Sequence, residues 1–218
     1  MSDWLLLQLA DSAFPTGGFA HAGGLEAAAQ LGALRSVADL ERFLIHSLEQ
    51  CAHASPPFVS APFARADDLQ DLDRWCDAAL SNHIANRASR TQGQALLMAG
   101  AGLAPAVAAL RQRLRAAASP GHLNVVAGAV LRSLGFERDV ARRLFLFQHL
   151  RGLVSAAVRL NLVGPLAAQA VQASVSAQGD SLLDSTADLQ PEEACSTAPL
   201  LDLWQGHQDR LYSRLFNT

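Results

Sequence analysis

Hydrophobic positions recur at helical spacing along this chain, and no stretch alternates apolar and polar residues with the period of two expected of a half-buried strand. The pattern predicts an all-α fold. A first helix is expected at about residues 3 to 10, then a glycine-rich loop, then a helix at about 23 to 33. "LRSVADLERFLIHSLEQCAHA" predicts another, with Ser36 as N-cap and Asp39 three residues on, close to a capping box. "SPPFVSAP" is expected to break it.

Further helices are predicted for "ADDLQDLDRWCDAALSN", whose acids suit a helix N-terminus, for about 83 to 100, for about 104 to 117, and from near His122 to a stop at Gly135. "ERDVARRLFLFQHLRGLVSAAVRLNLV" carries leucine, valine and phenylalanine around its whole circumference, the mark of a buried central helix. From about 179 to 198 the composition turns polar, which predicts a mobile segment before a last helix, "LLDLWQGHQDRLYSRLFNT". The expected architecture is a single-domain multi-helix bundle over 1–218, with about 179–218 as a mobile tail segment.

Charge and composition narrow the function. The chain has 218 residues, half of them hydrophobic, which suffices for one substantial core. The formal net charge is -3, so nucleic acid is not an expected partner. All 17 basic residues are arginine. Without lysine, this chain has no phosphate-loop lysine, no Schiff base and no carbamylated lysine to hold metal. Arginine instead favours planar, bidentate contacts with carboxylates. Cys51, Cys76 and Cys195 form no CxxC pair, which fits a reduced, cytoplasmic setting and structural roles. "WLLLQLA" is too short to span a bilayer, and neither a membrane nor a targeting segment is expected.

Candidate chemistry is sparse. "GGFAHAGG" lacks the Gly-Lys-Ser/Thr of a phosphate loop, and "AGAGLAP" lacks the third glycine of a dinucleotide loop. The first loop reads either as a tight turn anchored by Phe14 and Phe19 or as an interaction surface. His46, Glu49 and His53 share one helix face, where they are either a solvated polar stripe or ligands for a divalent metal such as nickel or zinc. There is no GxSxG nucleophile and no carboxylate pair that sequence can place, so no enzyme and no cofactor are expected. Arg151 and Arg159 lie in the apolar long helix and require either a partner within the bundle or an interface.

Four motifs in order then make the chain recognisable. "LLLQLADSAFPTGGFAHAGGLEAA", "GHLNVVAGAVLRSLG", "AAVRLNLVGPLAAQ" and the terminal "YSRLF" together resemble the UreF family of urease accessory proteins, over nearly the whole length. The third motif departs from the family's pattern at Leu162, where proline is common, and at Pro165, where glutamine is common. The resemblance implies a non-enzymatic, all-α homodimer that binds the accessory protein UreD (UreH in some systems), recruits the GTPase UreG and docks on apo-urease. GTP use is then coupled to nickel delivery and to carbamylation of a urease lysine. Mapped onto this chain, it points to partner contacts at Phe14, Gly17, Gly18, Phe19, His21, Gly24, Leu25 and Glu26 of the loop and its helix, at Arg159 and Gln169, and at Tyr212, Ser213, Arg214, Leu215 and Phe216 of the tail. Two other classes stay open: a helical nickel carrier using His46, Glu49 and His53, and an enzyme on a helical scaffold. On the scaffold reading, replacing Glu26 is expected to impair urease activation more than folding, and removing 211–218 to leave the bundle folded.

Overall fold

A computed structural model describes residues 3–217. Every regular element among them is helical. Helix α1 (Asp3–Ala10) leads into the glycine loop, which contains a single 3-10 turn at Gly18–Ala20, and α2 (Leu25–Gln30) follows. Helix α3 (Val37–Ala54) starts as its sequence predicts: Ser36 Oγ accepts the Asp39 amide at 3.2 Å, and Asp39 in turn accepts from the Arg35 amide at 3.0 Å. One of the amides left over at the helix start is thus bonded, and the Asp39 carboxylate ties down the residue before the cap.

The expected break at "SPPFVSAP" is a helix instead, α4 (Pro56–Ala64). Pro56 and Pro57 fall in its first turn, where a missing N–H forfeits no helical bond. The rest of the segment is apolar apart from Ser60, and Phe58, Val59, Ala61 and Pro62 are buried. After α5 (Leu69–Ala79) comes α6 (His83–Ala101), whose N-cap Asn82 accepts from the Ile84 amide at 3.0 Å. Then follow α7 (Pro105–Ala116) and α8 (Leu123–Ser133). Gly135 ends α8 as expected: at φ 80° it lets its own amide reach the Arg132 carbonyl and the Phe136 amide reach that of Leu131.

The helix buried on all sides is α8, not the long one. Every residue from Asn124 to Leu131 is buried, with α4, α6, α9, α5 and α7 packed around it. Its closest crossing is with α4, where a Cβ on Gly128 would lie 2.1 Å from the Val59 carbonyl oxygen. Only glycine permits that approach. The long helix α9 (Arg138–Arg159) exposes Arg143, Phe147, Ser155 and Arg159 along one stripe, exposes its first residues Arg138 and Asp139 as well, and packs residues such as Leu144, Phe145, Leu150 and Leu153 into the core beside α3, α4 and α8. The apolar residues around its circumference therefore include an exposed phenylalanine.

Asn161, at φ 57°, ends α9, and Pro165 opens α10 (Pro165–Ser176) at a position that needs no amide hydrogen. Helix α11 (Gly179–Ser185) is held to α9 by Arg142, which is buried and donates to the Leu183 carbonyl at 2.6 Å and to Thr186 Oγ1 at 3.1 Å. Helix α12 (Pro199–Gly206) packs on α2 and α6. The segment expected to be mobile is thus folded back along the bundle, because its apolar residues Leu183, Leu201 and Phe216 join the same hydrophobic cluster as the other helices. Among the described residues, no helix is long and apolar enough to cross a membrane.

Candidate functional site

Three of the sequence motifs meet at one place. The carboxylate that joins them is Glu26, on the first turn of α2 and only 2% exposed. Its Oε1 accepts the Leu215 amide at 2.6 Å, and its Oε2 accepts the Phe216 amide at 3.1 Å and Gln208 Nε2 at 2.7 Å. A buried carboxylate needs such donors in place of water. Here they come from the tail, so Glu26 fixes the tail to the bundle.

Other contacts fasten the same strap. Gln30 donates to the Ser213 carbonyl at 2.9 Å, and the Asn217 amide donates to the Ala20 carbonyl of the glycine loop at 2.8 Å. Arg159, at the end of α9, donates to the Phe19 carbonyl and lies over the Phe216 ring, 4.3 Å from its centroid. A cation over an aromatic face contributes about 0.5–1 kcal/mol at an exposed site. Of the two arginines singled out by sequence, Arg159 therefore pairs within the molecule. Arg151 is half-buried, and its Nε has no acceptor among the described residues.

The backbone of the loop is shaped for this meeting. Gly24 caps α2 at φ 88°, and a Cβ there would come within 2.9 Å of the Gln205 amide nitrogen on α12. Leu25 is buried, Phe14 is half-buried against the core, and Gly17 (φ 75°) and Gly18 precede the exposed Phe19. His21 is half-buried, and its pKa is lowered by burial and then by the nearby Arg87 charge.

On the outside of the strap, Arg214 pairs with Asp209 at 3.1 Å. Asp209 also meets Arg87 at 3.0 Å and His83 at 3.4 Å. The Arg87 hydrogen bond, foremost, holds the Asp209 carboxyl below the usual carboxylate range. Sequence reading missed Gln208, Asp209, Arg87 and Gln30, since none belongs to a motif and each acts across more than a hundred residues or through the folded tail. Beside these charges, the tail and the adjoining loop expose large apolar side chains: Phe19 of the loop is 70% exposed, Leu215 is exposed, and Tyr212 is fully exposed. Gln169 lies exposed on α10 and takes part in none of these bonds.

The alternative metal site does not assemble. His46 Nδ1 is 3.9 Å from Glu49 Oε2, but His53 turns its Nδ1 to the Glu49 backbone carbonyl at 2.9 Å. Among the described residues, no three His, Cys, Asp or Glu groups converge as metal ligands would. A shared helix face placed the three in a row without aiming them at a common point. Cys51 and Cys76 are buried, and burial pushes the Cys51 thiol up to about 12 and Cys76 higher still. Neither supplies a thiolate.

Comparison with known proteins agrees with the motifs. The UreF family model matches residues 34–176. Urease accessory protein F of Arabidopsis thaliana is 38% identical, covering 98% of this chain and 91% of that protein. The protein of the same name from Oryza sativa subsp. indica is 35% identical over 99% of this chain and 85% of its own length. A urease accessory protein UreF-like relative from Schizosaccharomyces pombe is 31% identical over 98% and 96%. The glycine loop and the tail lie outside the span of the family model, whereas the alignments to these relatives cover 98% or more of the chain, and the chain belongs to the UreF family.

Proposed function

We propose that this chain is a non-catalytic scaffold of urease maturation that binds UreD (UreH) through the surface made by the glycine loop and the docked tail. It acts as a homodimer and presents the GTPase UreG to apo-urease for GTP-dependent nickel insertion. The urease accessory names of its relatives support the place in urease maturation. A lysine-free chain without a phosphate loop leaves the GTP chemistry to a partner.

The observation that carries the contact surface is the exposure of Phe19, Tyr212 and Leu215 on backbone held by the buried Glu26 carboxylate. Exposed aromatic and arginine side chains on a pre-ordered segment suit an interface, because little freedom is left to lose on binding. Capture of UreD by the double variant Tyr212→Ala/Leu215→Ala tests the reading. The expected loss is about 2 kcal/mol, roughly thirtyfold in affinity, with an unchanged melting temperature. Undiminished capture removes this surface as the UreD site.

A further inference from the structure

A second surface lies along α6. His83, Arg87, Arg90 and Gln94 succeed one another at helical spacing and line an open groove of about 990 Å³. Its far wall is the turn at 118–120, and beyond Gln94 it continues to Arg111 and Arg115 of α7. From His83 to Gln94 the cationic face runs about 16 Å at the helical rise.

The walls are rigid. Asp73, itself buried, accepts Ser119 Oγ at 2.5 Å, the Gly121 amide at 2.6 Å and the His122 amide at 2.8 Å, which pins the turn. On the near side, Asn86 donates to Asp77 Oδ1 at 2.9 Å and to the Leu80 carbonyl at 3.3 Å. The acids around the groove are already engaged. Asp77 meets Asn86 and His122 and lies in the field of the Arg90 charge without a salt bridge to it, and Asp209 takes Arg87 and His83. Among the described residues, Arg90, Arg111 and Arg115 join no salt bridge and no side-chain hydrogen bond, and they stand together in a molecule whose net charge is -3.

We propose that this groove docks an acidic segment of a partner protein, its carboxylates taken by Arg90, Arg111 and Arg115. The planar guanidinium fork accepts a carboxylate through two parallel hydrogen bonds, and three such forks along a fixed wall select a run of acids. Single-stranded nucleic acid is the less suited occupant. It needs aromatic platforms for its bases, and no phenylalanine, tyrosine or tryptophan lines the groove. The inference goes beyond the tail surface and does not depend on it, since no residue of the strap contributes a fork.

The test is fluorescence anisotropy of a labelled dodecapeptide of alternating Glu and Ala, titrated with the full chain. Arg90→Gln/Arg115→Gln is compared with Arg132→Gln/Arg138→Gln, which removes the same charge elsewhere, and melting curves check that each variant folds. The expected result is binding that weakens with added salt, falls about tenfold or more in the groove variant and is kept in the control. No binding to the intact chain, or equal loss in both variants, overturns the proposal. So does a labelled single-stranded RNA that binds more tightly than the peptide and loses affinity with the same groove variant. Because no urease protein is present in the assay, its outcome is separate from that of the UreD experiment.

Discussion

At Glu26 the chemistry of a single side chain decides how the last part of the chain lies. Its two oxygens receive three N–H donors. Glu26→Gln keeps the shape but turns one acceptor into a donor facing a donor, so a loss of about 2–3 kcal/mol of stability is expected. Urea titration measures it, and limited proteolysis of the variant should cut first in the tail. The expectation that Glu26 matters to partners more than to folding meets a carboxylate buried among tail donors, so on the proposed scaffold reading it would reach a partner through the tail that it holds. Gly24→Ala strains a left-handed backbone and drives a methyl onto the Gln205 amide. A loss of about 1–3 kcal/mol is expected, read as a lower denaturation midpoint. A midpoint within error of the parent would show that α12 shifts aside freely.

Between elements, the crossing of α4 and α8 depends tightly on a single residue. Gly128→Ala sets a methyl 2.1 Å from the Val59 carbonyl, and backbone on both sides leaves no flexible side chain to yield. The expected loss is about 3 kcal/mol or more, with helix content kept near that of the parent until unfolding. Circular dichroism melts check both parts. The crossing also explains why "SPPFVSAP" misleads as sequence: propensity marks prolines as helix breakers, yet two fall in the first turn and the remaining apolar side chains are buried against α8. Tertiary packing outweighs the local preference. In α9 the error ran the other way, since an apolar count around the helix took Phe147 for core when it faces outward.

For the whole molecule, the clearest response to solution conditions follows from His149. Its Nε2 lies 2.9 Å from Ser47 Oγ, and burial lowers its pKa from 6.5 to about 4. The folded state therefore binds fewer protons than the unfolded one between those values, so this contribution is complete above pH 6.5 and is lost as pH falls toward 4. The amount is roughly 3 kcal/mol. His21, also lowered by burial, adds in the same direction. Melting temperatures taken from about pH 7 down to about pH 5 should fall, and fall less for His149→Gln, which keeps a partner for Ser47 without gaining a charge. Equal slopes would place the acid sensitivity elsewhere.

The all-α class, the bounds of most helices, the Ser36 cap and the Gly135 stop were legible because each rests on contacts within a few residues. The motifs were legible too, and with them the family. The docking of the tail was not, since Glu26 meets Gln208, Leu215 and Phe216 some 182 to 190 positions away, and no local pattern encodes such a pairing. A polar, acid-rich segment before the tail reads as mobile when its own composition is all that is weighed. Only the folded bundle brings a buried carboxylate to meet it, and the need of that carboxylate for donors decides where the chain comes to rest.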